Sequence, residues 1–70
     1  MKTTYWKRES LVDGRIIALF KIEKSEKEMK GYIYKNGGWQ EYDAIVAKAG
    51  YDDDYDCISE AEANQIMKQL

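Results

Sequence analysis

The sequence contains no histidine, no proline and a single cysteine among its 70 residues. Without histidine the chain lacks the commonest general base, the side chain that titrates near neutrality and the commonest metal ligand. Catalysis would fall to carboxylates and lysines, and no nucleophile with an activating base can be assembled from this residue set. The expectation is a non-enzymatic protein with no catalytic residues and no cofactor. Cys57 alone forms neither an internal disulfide nor a zinc knuckle, so the cytoplasm is the expected compartment. Long apolar runs are missing as well. The longest, Ile16-Ile17-Ala18-Leu19-Phe20, is far short of the ~18 residues of a membrane span. The stretch from Met1 to Glu9 lacks the apolar middle of a secretion signal.

What is present argues for a folded domain. Apolar residues make up 44% of the chain, and 2 Trp, 6 Tyr and 1 Phe are too many aromatics for a disordered segment. A chain this short buries only about 60% of its unfolded surface, so a protein partner or a second copy is expected to add stability. The 13 acidic and 11 basic residues give a net charge of −2, which rules out a polybasic arm. The two signs are unevenly spread: residues 1–40 carry nine Lys or Arg against five Asp or Glu (+4), and residues 41–70 carry two against eight (−6). An acidic tail lying near a basic sheet in the same molecule accounts for this pattern.

Turn residues divide the first forty positions into strand-sized pieces. Asp13-Gly14 and Asn36-Gly37 are pairs suited to the positive φ angles of two-residue hairpins, and the polar run Glu23 to Glu28 reads as a third loop. Four strands follow, at about 3–12, 15–23, 29–35 and 38–42, in an uninterrupted antiparallel meander. The period then changes. Asp43 is placed to cap a short helix at 44–49 that Gly50 would end. Ser59, with Glu62 three residues on and Ile58 and Ala63 as a staple, starts a longer helix at 60–69. In that helix Ala63, Ile66, Met67 and Leu70 form an apolar stripe. The expected fold is a single α+β domain, 1–70, a four-stranded meander with both helices packed on one face.

Register decides which side chains share a face. A two-residue Asp13-Gly14 loop pairs Lys7 with Phe20 and Tyr5 with Ile22; the next loop pairs Phe20 with Gly31. The core face is then Tyr5, Leu11, Ile16, Ala18, Phe20, Ile22, Met29 and Ile33, with Gly31 making room for Phe20. The opposite face collects Trp6, Arg8, Ile17, Leu19, Lys21, Lys30, Tyr32 and Tyr34, joined by Trp39 across an Asn36-Gly37 turn. A three-residue turn would instead send Trp39 to the core side. This aromatic and basic face is the candidate interaction surface, for a protein partner or a second copy. A single-stranded nucleic acid stacking on the same rings is the alternative.

Two weaker features complete the reading. Asp52, Asp54 and Asp56 sit at the first three ligand spacings of a calcium loop, but Cys57 stands where its glycine is needed and Ala63 where its bidentate glutamate is needed. No metal site is expected there beyond weak adventitious binding. Cys57 itself, among Asp54, Asp56 and Glu60, is expected to be a small buried apolar contact, not a thiolate.

Overall fold

The computed structural model describes residues 2–49, 51 and 55–70 of the chain. Its fold is α+β: one open antiparallel sheet of five strands with two helices. The strands are β1 (Lys2–Glu9), β2 (Ile16–Lys24), β3 (Met29–Lys35), β4 (Gly38–Glu41) and β5 (Tyr55–Ile58), in spatial order β4-β3-β2-β1-β5. The helices are α1 (Ala44–Lys48) and α2 (Glu60–Gln69). The first four strands form the expected meander. The fifth comes from the segment read as an acidic loop: Tyr55 to Ile58 pair antiparallel with Arg8 to Tyr5 and extend the sheet beyond β1. Asp52 to Asp54 and the proposed stop at Gly50 lie outside the described residues.

The helices do not share a face. Ile45 of α1 packs with Phe20, Ile22 and Tyr55, whereas Ala63 and Ile66 of α2 pack with Leu19. Successive β2 side chains point to opposite sides, so α1 and α2 cover opposite faces of the sheet. The result is a three-layer arrangement with β2 as its central strand, and Leu19 and Phe20, adjacent in sequence, are 0% and 4% exposed. This overturns the expectation of one covered and one bare face. Each helix covers only part of its face: α1 lies over β2 and β3, α2 over β1 and β2.

Register explains the redistribution. Asn36 (φ 53) and Gly37 (φ 80) both adopt the left-handed conformation, which closes a two-residue turn and sets Tyr34 opposite Trp39. Asp13 does not: among the described residues Asn36 is the only non-glycine at positive φ. The carboxylate of Asp13 instead accepts the Arg15 N–H (3.0 Å) and the Ser10 hydroxyl accepts the Val12 N–H (3.2 Å). These bonds stabilise a six-residue loop, Ser10 to Arg15, in place of a tight hairpin. The β1 pairing moves by one residue, to Trp6 with Phe20 and Tyr5 with Lys21, which flips β1 over. Ile17 is left without a partner between the Arg8–Ala18 and Glu9–Ile16 pairs, and the bulge turns Ile16 under α2 beside Leu19. The next hairpin slips by two and keeps its parity, so that Ile22 faces Gly31 and Phe20 faces Ile33. Gly31 therefore makes room for Ile45, not for Phe20.

α2 begins as its sequence signature requires. The Ser59 hydroxyl accepts the Glu62 N–H at 3.1 Å, with Glu60 and Glu62 in the first turn and Lys68 in the last. Ser59→Ala is expected to lower stability by about 1 kcal/mol, read as a shift in a urea unfolding curve, and Ser59→Gly by only a few tenths. At α1 the cap differs. Asp43 makes no side-chain bond to its own helix; its carboxylate accepts the Gly31 N–H at 3.4 Å and ties the helix start to β3.

Candidate functional site

Six of the nine expected interaction residues share the face on which α2 lies, because the parity of β2 from Ala18 onward and of β3 and β4 is as expected. Lys21 and Lys30 stand beside Tyr32, Tyr34 and Trp39, with Leu19 further along β2, while Ile17 sits unpaired at the bulge. Trp6 and Arg8 do not belong with them. The flipped β1 carries both to the α1 face, where Trp6 packs against the Phe20 and Tyr55 cluster and donates from Nε1 to the Thr4 hydroxyl at 3.1 Å. The Arg8 guanidinium lies 5.7 Å from the Tyr55 ring centre. Leu19 is core under α2, not surface.

Lys21, Tyr32, Tyr34 and Trp39 form an interlocked group toward β3 and β4, and Tyr34 and Trp39 pack at the edge of the Leu19, Ala63 and Ile66 cluster under α2. Trp39 is half-buried, with its ring edge-on to Tyr34 at 5.3 Å and tilted against Tyr5 at 6.3 Å. Lys21 rises between rings: its ammonium is 4.8 Å from the Trp39 centroid, 5.1 Å from that of Tyr32, and 3.2 Å from the Glu23 carboxylate. A cation held over two aromatic faces and paired with a carboxylate is a largely satisfied charge. Tyr5 lies at the inner border of the group. Burial first, then the negative charges of Glu60 and Glu23, hold its pKa above the ordinary 10.0, so it is a neutral phenol at physiological pH.

Next to this group Lys7 joins sheet to helix. Its ammonium is 3.4 Å from Glu9 and 3.4 Å from Glu62 in the first turn of α2. Burial is the largest influence on Lys7 and lowers its pKa, but the two carboxylates together outweigh it and the net shift is upward. The lysine is charged at physiological pH.

The other expected features fare differently. Cys57 is exposed on the edge strand β5 opposite Trp6, which corrects its assignment as a buried contact. Asp56 is in β5, opposite Lys7 in the backbone register, while Asp52 and Asp54 are outside the described residues. No group of three metal-binding side chains occurs among the described residues. No helix among them is long and apolar enough to cross a membrane.

One surface was not anticipated. Leu11 and Val12, expected within the first strand, form the tip of the Ser10 to Arg15 loop and are 91% and 95% exposed. The usable signal was the pair Ser10 and Asp13, both residues that hydrogen-bond their own loop backbone. At the base of the loop a groove of about 350 Å³ opens between Ile16 of β2 and Ile66 and Leu70 of the α2 end, with Glu9 and Arg15 in its wall.

Comparison with known protein families, curated proteins and solved structures finds no match. The functional reading therefore rests on the surfaces of this chain.

Proposed function

We propose that the chain is a small non-enzymatic protein-interaction module whose aromatic surface, Lys21, Tyr32, Tyr34 and Trp39, engages a protein partner. The observation that carries this reading is the placement of Lys21. Its ammonium is already matched by two ring faces and by Glu23, so the group offers a preorganised, nearly neutral aromatic surface. Protein interfaces are enriched in such aromatics and depleted of unpaired charge at their centres. The lack of histidine in the sequence favours the non-enzymatic reading, and its single cysteine favours the cytoplasm.

A single-stranded nucleic acid suits this group less well. Base stacking needs open ring faces and phosphate binding needs free cations; here Lys21 occupies the faces and Glu23 competes for its charge. Two measurements divide the readings. A photo-crosslinking residue in place of Tyr32, introduced in the cell of origin, is expected to give one discrete polypeptide adduct that the same probe at Gln65, on the exposed side of α2, does not give. Titration of tryptophan fluorescence with oligonucleotides at low salt is expected to be flat. Quenching that weakens steeply with salt would replace the protein-partner reading with the nucleic-acid one.

A further inference from the structure

We propose that the end of the molecule built from the Ser10 to Arg15 loop and the last turn of α2 is a self-association surface. In it the Leu11-Val12 tip of each copy seats in the groove between Ile16, Ile66 and Leu70 of the other. This surface is separate from the aromatic group, so each proposal can fail without the other.

The tip is apolar, almost fully exposed and held in shape. Besides the Ser10 and Asp13 side-chain bonds, the Ser10 N–H donates to the Arg15 carbonyl (2.7 Å) and the Gly14 N–H to the Ser10 carbonyl (3.0 Å). Four hydrogen bonds in six residues fix the loop before any partner arrives, which lowers the ordering cost of docking. A nearly bare Leu-Val pair on such a loop is apolar surface that docking would remove from water.

The occupant follows from the neighbourhood of the tip. The knob and a groove of mixed lining lie side by side on the same chain, and the exposed apolar part of that groove is chiefly Leu70, 55% exposed, beside Ile16. A two-fold axis between them fills both grooves and covers both tips in one step, the self-complementary arrangement of an isologous dimer. An unrelated partner would have to supply both a knob and a hole. Charge agrees. Glu9, paired with Lys7, and Arg15, paired with Asp13, flank the groove with side chains 40% and 85% exposed, so a second copy related by a two-fold axis meets walls of both signs.

Sedimentation equilibrium from micromolar to millimolar protein tests the proposal. The expected result is a mass that climbs from one chain toward two. Val12→Asp is expected to raise the dimer dissociation constant at least ~10-fold, while the melting temperature of the dilute protein stays unchanged because the tip contacts no core residue. Arg15→Glu, at a side chain 85% exposed, should weaken the dimer as well. A single-chain mass at every concentration overturns the proposal. So does a dimer indifferent to Val12→Asp, which would mean that the copies pair through another surface.

Discussion

Leu19→Ala is expected to destabilise the fold by about 3–5 kcal/mol, the largest loss of any single truncation proposed for this chain. Leu19 has no exposed surface and is the sheet's main contribution to the cluster under α2, packed against Ala63 and Ile66. Truncating a leucine in such a place removes its burial and leaves a cavity, at a cost of about 3–5 kcal/mol. A domain of this length has a total stability on the order of 4–10 kcal/mol, so the loss is a large fraction of it. Urea unfolding followed by far-ultraviolet circular dichroism reads the effect as a large fall in the midpoint. The control lies two positions earlier. Ile17→Ala removes a comparable side chain from the unpaired bulge position, which is 56% exposed, and should change stability by roughly 0.5 kcal/mol. Equal effects at the two positions would contradict the placement of α2 over Leu19.

That pair of variants also separates what the sequence disclosed from what it concealed. In the expected register Leu19 lay on the bare face and α2 on the other. The run Ile16-Ile17-Ala18-Leu19-Phe20 carried a different message: a strand apolar at consecutive positions is a strand covered on both faces. Read that way, it calls for helices on opposite sides of the sheet, as found. The register error had a local cause. Asn-Gly and Asp-Gly look alike as turn formers, yet Asn36 enters the left-handed region, whereas Asp13 satisfies its carboxylate on the Arg15 N–H and the loop opens. A shift of one residue then moved Trp6 and Arg8 to the α1 face and left Lys21, Tyr32, Tyr34 and Trp39 together. α2 was legible because its start is specified within a few residues by Ser59 and Glu62. β5 was not. Four residues are too few to display a period of two, and its pairing with Tyr5 to Arg8 depends on a contact about fifty positions away along the chain.

Gly31→Ala should detach α1 while leaving α2 in place. Gly31 has no unusual φ that would require glycine, so conformational freedom is not the reason for its presence; space is. A Cβ there would collide with the Ile45 side chain and come within 2.5 Å of the Tyr42 carbonyl oxygen. The first obstacle can rotate but the second is backbone, and that backbone is held by the Tyr42 N–H donating to the Gly31 carbonyl at 2.7 Å. Alanine reduces unfolded-chain entropy and so would gain about 0.4–1 kcal/mol at an unobstructed site. Overpacking against a fixed carbonyl costs typically 1–3 kcal/mol, so the net effect is destabilising and concentrated where α1 meets β3. Native-state hydrogen exchange should show it as lost protection at the Val46 and Ala49 amides, which donate to Asp43 and Ile45, with the Ala63 amide of α2 little changed. The asymmetry follows from the architecture: α1 and α2 belong to separate clusters on opposite sides of β2. Uniform loss of protection in both helices would mean that the two clusters open as one unit. Unchanged protection throughout would mean that α1 does not rest on Gly31.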